Sequence, residues 1–487
     1  MNLKNYIAEF NANDEECYHN DIDNSMAEEW LSDEIPVLEC PDSEIEKAYY
    51  FRWWVYRKHI KTTPEGYIIT EFLPDVPWSG KYNAINAAAG HHIMEGRWLK
   101  NSNKYLPDYI YFFLNNPEEG MRYSSWIISA AKAFNDVKDA LDIPDFLKKA
   151  AAHFKRWDAE RLTECGLYWS IDDRDAMEFS ISGTKAGKAI KGIRPTLNSY
   201  MYADASAIYD LSLQCGHQLS EFGEAAGKIK RGIQALLWRD GFYKALHPED
   251  GSFGTIGSIK TSDVPRELIG YIPWYFKIPK RGQESVFDFL EDEDVFKTKF
   301  GITTAEQMHP EFLFPSEHEC LWNGYIWPFA TSQVLTGLIN AADDTNDKKY
   351  ADMFCRLLKQ YAAQHTRTDE NGKTVMWIDE VKAPYEDTWS SRDILKNWGW
   401  KKEKGGYERG KDYNHSTFCD LVITGLAGVR VQDGNVSFRP IIPDDWEYFS
   451  LDNLYIRGSR YRIVYDKTGK KYGHTGWKFY KNNICEK

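Results

Sequence analysis

Between residues 41 and 429 the chain keeps returning to one kind of segment: a helix-length stretch with apolar and small residues at helical spacing, closed by a loop of aromatics, glycine and acids. SEIEKAYYFRWWVYRKHI follows CPDS, a suitable helix N-cap. KYNAINAAAGHHIMEGRWL, MRYSSWIISAAKAFNDV, DFLKKAAAHFKRWDAERLTE, SYMYADASAIYDLSLQCG and EFGEAAGKIKRGIQALLW continue the run. WPFATSQVLTGLINAAD, KYADMFCRLLKQYAAQHT and NHSTFCDLVITGLAGV extend it. The segments recur roughly every 30 to 40 residues, without the fixed consensus letters of a solenoid repeat. Many helices of ordinary length, joined by loops that carry the unusual residues, predict a closed helical barrel with its active groups on one face.

The pattern changes after Val429. In residues 430–487, YRIVYDKTGKKY reads as strand, turn, strand, and GWKFYKNN as another strand. This predicts a small C-terminal β-rich appendage with a structural role. Residues 1–40 are acidic and polar and read as an N-terminal arm or short helices before the main body.

Composition narrows the partners. A net charge of −13 over 487 residues argues against nucleic acid, which is bound by Lys and Arg, and against an anionic membrane surface. No stretch approaches the 18 or so apolar residues of a membrane span. The eight cysteines are scattered with no CxxC pair, which predicts free thiols in a reducing compartment. MNLKNYIAEFNANDEECYHND lacks the charged and apolar regions of a signal peptide, so a cytoplasmic location is expected. Aromatics make up 15% of the chain, with 18 Trp and 30 Tyr. Such side chains pack cores, but their flat faces and polar edges also line pockets and stack on sugar rings.

The acids are concentrated in two aromatic loops. WSIDDRDAMEFSISG, from Trp169 to Gly183, follows a helical segment. A solvated acidic loop is the ordinary reading of such a run, but Trp169, Met177 and Phe179 make this one partly apolar. Carboxyls beside apolar groups hold their protons more tightly, as a general acid must. MWIDEVKAPYEDTW, from Met376 to Trp389, repeats the composition with Asp379, Glu380, Glu386 and Asp387. A glycosidase needs two such carboxyls, one to protonate the departing oxygen and one to activate water or attack carbon. His91, His92 and Glu95 in AAGHHIMEGRWLKN have some metal-like spacing, but HExxH is absent and no third ligand set stands out, so no metal or other cofactor is expected. No phosphate loop, dinucleotide fingerprint or GxSxG elbow is present.

These residues resemble the mannosylglycerate-hydrolase-like catalytic domain shared with glycoside hydrolase family 63. GLYWSIDDRDAMEFS is similar to the family loop that leads into Gly-Met-Asp, whose aspartate is the general acid; Ala176-Met177-Glu178 stands there, which makes Glu178 the acid. LWNGYIWP is similar to the family's Trp-Arg-Gly-Pro-Val-Trp wall. WIDEVKAP is similar to the loop of the catalytic base, a glutamate four residues before a proline, which points to Glu380 before Pro384. The chain departs from the family at two places. Glutamate replaces the acid aspartate, leaving Asp175 and Asp173 as alternatives, and Asn323 replaces the wall arginine.

The resemblance covers about residues 45 to 430. It implies a mainly α (α/α)6 toroid with the β appendage, and an exo-acting, inverting hydrolase of an α-linked sugar. Arg52, Trp53, His92, Arg97, Trp169, Arg194, Asn198, Trp322, Asn323 and Trp327 are the expected substrate-binding residues, and a carbohydrate is the expected partner. A non-catalytic carbohydrate-binding barrel, or a helical-barrel lyase or epimerase using His or Tyr, are the alternatives.

Overall fold

In the computed structural model, residues 3–185, 187–248, 259–260 and 264–486 are described. Six helices, Ala89–Gly96, Ile127–Lys138, Pro195–Gln214, Ile272–Tyr275, Pro328–Thr345 and Cys419–Leu421, touch one another in chain order, and the last packs back on the first. They form the inner ring of an (α/α)6 toroid. Ser43–Lys58, Ser102–Asn115, Ile143–Arg161, Ser220–Gly232 and Lys348–Ala363 lie outside it. The 3-10 segment Glu284–Glu291 completes the outer set, with Phe287 against Trp274 and Tyr350.

Burial separates the two rings. Pro195–Gln214 and Pro328–Thr345 are buried around most of their circumference. Lys348–Ala363 buries one stripe, Tyr350, Met353, Phe354, Leu357, Leu358 and Tyr361, as an outer helix should. Small residues set the spacing: a Cβ on Gly90 would fall 2.1 Å from the Trp126 ring. Among the described residues no helix is long and apolar enough to cross a membrane.

The helix starts follow side-chain chemistry. Asp42 caps Ser43–Lys58 by accepting from the Glu44 and Ile45 N–H groups, with Glu44 and Glu46 in the first turn and Arg57 and Lys58 in the last. Pro195 and Pro328 open their helices, where the missing N–H costs no hydrogen bond. The segment KYNAINAAAGHHIMEGRWL is less helical than its spacing predicts, since the helix proper is Ala89–Gly96. Asn83 donates to Phe72 and Pro74 carbonyls and accepts from the Val76 N–H, while Asn86 donates to Gly120 and Tyr123 carbonyls. These side-chain bonds to distant backbone compete with the helix and hold residues 84–88 as a loop between the 3-10 turn Lys81–Asn83 and the helix.

The C-terminal strands Tyr448–Ile456, Ser459–Asp466, Gly476–Lys481 and Ile484–Cys485 form an antiparallel sheet in that order, and Val37–Glu39 pairs onto the first of them. Tyr6, Ile7 and Phe10 of helix Leu3–Ala12 are in the main core. The third strand starts at Gly476, later than YRIVYDKTGKKY suggests. Asp466 accepts from the N–H groups of Thr468, Gly469, Lys471 and Tyr472, which holds the connection as a loop.

Asp42→Ala removes the cap on an outer helix and should destabilise the fold by about 1 kcal/mol, read as a lower midpoint in urea denaturation.

Candidate active site

A cavity of about 500 Å³ is lined by the segments that lead into the inner helices. Residues 71–87 precede Ala89–Gly96, Tyr123 precedes Ile127–Lys138, and residues 171–178 precede Pro195–Gln214. Residues 318–327 precede Pro328–Thr345, and residues 380–415 precede Cys419–Leu421. The site is therefore built at the helix N-termini, the ends whose dipoles favour negative charge.

Loop 169–183 is organised by an aspartate outside the cavity wall. Buried Asp172 accepts from the N–H groups of Asp173 and Phe179 and from the Thr184 hydroxyl. Gly183 is required beside it, because an added Cβ would fall 2.3 Å from Asp172 Cβ. Ala176 and Phe179 adopt left-handed φ of 54° and 60°, uncommon for residues with a side chain, and they bracket Glu178. Glu178 lines the cavity. Its carbonyl accepts from the Trp322 N–H at 3.1 Å, and its Oε2 accepts from the Cys320 thiol at 3.0 Å. Burial pushes its carboxyl up to about 7; the Cys320 bond opposes the rise, and Asp173 and Asp172 add to it.

Asp175, expected as an alternative acid, is not part of the cavity wall. Its carboxylate is buried against Arg194 Nε at 2.7 Å and accepts from Ser124 and Ser170 hydroxyls, both at 2.7 Å. Arg194 also donates to Ser180 and Ser182. This filled ion pair braces the loop. Asp173 is exposed and lines the cavity.

Loop 376–389 repeats the arrangement. Buried Asp379 accepts from the Glu380 N–H and the Trp377 indole, and Gly410 gives it room, since a Cβ there would meet Asp379 Oδ1 at 2.0 Å. Lys382 and Ile326 exchange backbone hydrogen bonds, both at 3.0 Å, tying this loop to the tryptophan wall. Glu386 and Asp387 are exposed. Glu380 is buried on the cavity wall, and Arg409 Nη2 donates to its Oε2. Arg409 Nη1 also lies 3.3 Å from Glu319 Oε1, and Lys404 donates to Glu319 Oε2 at 2.9 Å. Burial pushes Glu380 up to about 8 against the pull of Arg409, with the charges of Glu319, Asp379 and Glu178 adding to the rise. Burial works the same way on Glu319, but Arg409 and Lys404 hold it below the usual carboxylate range.

Trp322 and Trp327 stack with ring centroids 4.3 Å apart, and both line the cavity. The expected residues brought together there are thus Glu178, Glu380, Trp322 and Trp327. The others hold the barrel and its loops. Arg52 donates to Ser416 and Tyr361, and Trp53 is fully buried. His92 lies between the Tyr109 hydroxyl and the Asn414 carbonyl. Arg97 pairs with Asp420 at 2.7 Å. Trp169 is flanked by the cations of Arg161 and Lys191, Asn198 binds the backbone of Tyr168, and Asn323 donates to Phe314 O. His91 is enclosed by Trp126 and Phe329, while Glu95 accepts from the N–H groups of Phe418, Cys419 and Asp420 at a helix start. Arg409, Glu319, Cys320 and Tyr413 were not expected. The signal in sequence for Arg409 and Tyr413 is the charged run YERGKDYNHS placed directly before an inner helix, while Glu319 and Cys320 lie just before the tryptophan wall LWNGYIWP.

The family model described as the mannosylglycerate hydrolase MGH1-like glycoside hydrolase domain matches residues 81–416, and the chain belongs to that family. The model for the C-terminal domain of glycosyl hydrolase family 65 matches residues 429–477. A solved structure named Sialidase is 34% identical over 100% of this chain with a TM-score of 0.86, and the chain spans 44% of that protein. The GH63 mannosylglycerate hydrolase from Thermus thermophilus, in complex with glucose, is 13% identical over 77% of this chain and 99% of its own, with a TM-score of 0.50. The Streptomyces avermitilis alpha-L-rhamnosidase, complexed with L-rhamnose, is 11% identical over 93% of this chain and 38% of its own, with a TM-score of 0.56. The last two share the six-hairpin fold with this chain.

Asp175→Ala would leave the buried Arg194 charge unpaired, at a cost of about 3–5 kcal/mol. Its melting temperature should fall well below that of the wild type, whereas Glu178→Gln should melt close to it.

Proposed function

We propose that the chain is an exo-acting, inverting glycoside hydrolase of an α-linked sugar, with Glu178 as general acid and Glu380 as general base. The observation that carries this reading is that two loops some 200 residues apart in sequence supply carboxyls to one cavity beside a stacked tryptophan pair. The roles follow from the partners. The charge of Glu178 raises Glu380, so their titrations are coupled. Taken singly, burial leaves Glu380 the higher of the two, the reverse of the order a base and an acid need. The direct Arg409 contact supports placing the charge on Glu380, because it is a charge-assisted bond only to a carboxylate. The charge of the singly ionised pair then rests on Glu380 and the proton on Glu178.

In that state Glu178 protonates the departing glycosidic oxygen while Glu380 draws a proton from water attacking the anomeric carbon. Inversion requires the carboxyls to stand roughly 6.5–9.5 Å apart, leaving room for the water. A cavity of about 500 Å³ has the size of a small-ligand pocket, which supports release of a terminal sugar over binding along a polymer. No described residue after His415 lines it, which supports a structural role for the appendage at residues 430–487.

Glu178→Gln and Glu380→Gln should each lower kcat by about 10² or more on the best substrate from a panel of α-linked disaccharides, whose alkoxide leaving group needs the proton. Near-normal turnover in either would remove that role. The first sugar released, followed by NMR, should be the β-anomer. The pH profile should be bell-shaped near neutrality: activity falls on acidification as Glu380 takes a proton, and on alkalisation as Glu178 loses one.

A further inference from the structure

Two buried carboxyls of the cavity wall remain once the acid and base are assigned. Glu319 is neutralised by Arg409 and Lys404. Glu71 is different. It is 8% exposed and lines the cavity. Its Oε1 accepts the Tyr413 hydroxyl, and its Oε2 is buried with no hydrogen-bond partner among the described residues. Phe72, Val76, Ile85, Ala87 and Tyr413 form an apolar cluster at this part of the wall. Burial pushes Glu71 up to about 7, with the charge of Glu178 adding to the rise and the Tyr413 bond opposing it.

An orphaned carboxyl oxygen in apolar surroundings is costly, and buried polar groups are normally paired. A sugar hydroxyl both donates and accepts, so it satisfies this oxygen whether the carboxyl is ionised or neutral. Glu71 and Glu178 line the same cavity, so a sugar seated beside the acid also meets Glu71. Arg409 and Lys404 are already engaged by Glu319 and Glu380, so neither is free to pair with an anionic sugar.

We propose that Glu71 is a substrate-binding and specificity residue, anchored by Tyr413, that holds a ring hydroxyl of the neutral sugar whose glycosidic bond is cleaved. The inference rests on the reading of this cavity as a sugar site. A hydrogen bond to a carboxyl in such surroundings is worth about tenfold or more in affinity.

The test is a binding titration by intrinsic tryptophan fluorescence, since Trp78, Trp322 and Trp327 line the cavity. The probes are L-rhamnose, D-mannose and D-glucose, with D-glucuronate and N-acetylneuraminate as anionic counterparts. At least one neutral sugar should quench the wild type saturably. Glu71→Ala should weaken it about tenfold or more and Glu71→Gln by less than about threefold. Tyr413→Phe, which keeps the carboxyl and removes its anchor, should weaken it measurably and carries the test if Glu71→Ala does not fold by circular dichroism. Unchanged affinity in a folded Glu71→Ala, binding of the anionic sugars alone, or no binding of any sugar would overturn the proposal. So would a hundredfold loss of turnover in Glu71→Gln at unchanged affinity, which would put Glu71 in the chemistry. Binding is read without turnover, so a wild type that binds but does not hydrolyse removes the roles of Glu178 and Glu380 and leaves that of Glu71 standing.

Discussion

Glu71, Glu178, Glu319 and Glu380 line one cavity, and four carboxyls in surroundings of low dielectric cannot all carry charge. The partners of each decide how the protons are shared. Arg409 spans Glu319 and Glu380, and Lys404 adds a second cation to Glu319. Glu178 meets a thiol, which donates weakly, and Glu71 meets a phenol. One arginine thus creates two populations of acid in a single cavity. Two groups face cations and two face neutral donors, an asymmetry of the kind that acid–base chemistry requires.

The barrel makes this crowding tolerable. Each cavity segment precedes an inner helix, and the segments are tied to one another by backbone hydrogen bonds such as Trp322 N–H to Glu178 O and Ile326 with Lys382. Glu178 and Glu380 each also have a buried aspartate that ties their loop to backbone N–H groups. Asp172 reaches over seven residues to Phe179, and Asp379 holds its neighbour Glu380. Asp175 adds an ion pair with Arg194. The acid density of both loops therefore has two sources: a carboxyl on the cavity wall, and the carboxylates that shape the turn presenting it.

The helical pattern, the change of pattern after Val429, the two acidic-aromatic loops and the tryptophan wall were legible along the chain, because each is a local feature of period or composition. Loop boundaries were less so. Residues 83–88 read as helix, yet Asn83 and Asn86 bond to backbone of loops distant in sequence or space. Eight of the ten expected sugar ligands lie outside the cavity wall. Arg52, His92, Arg97, Arg194 and Asn198 carry the same polar groups a subsite needs, but direct them to carbonyls, hydroxyls and carboxylates inside the barrel.

The sequence by itself determined the helical barrel with its β appendage and the two loops from which Glu178 and Glu380 come, since periodicity and residue chemistry are properties of short segments. Only the tertiary structure decided which acids share the cavity, that Arg409 stands between Glu319 and Glu380, that Asp175 is a brace, and that Glu71 keeps an oxygen without a partner. Those are matters of distance and burial between residues as far apart as 71 and 413. No local pattern encodes them, because a carboxyl takes its role from what the fold sets against it.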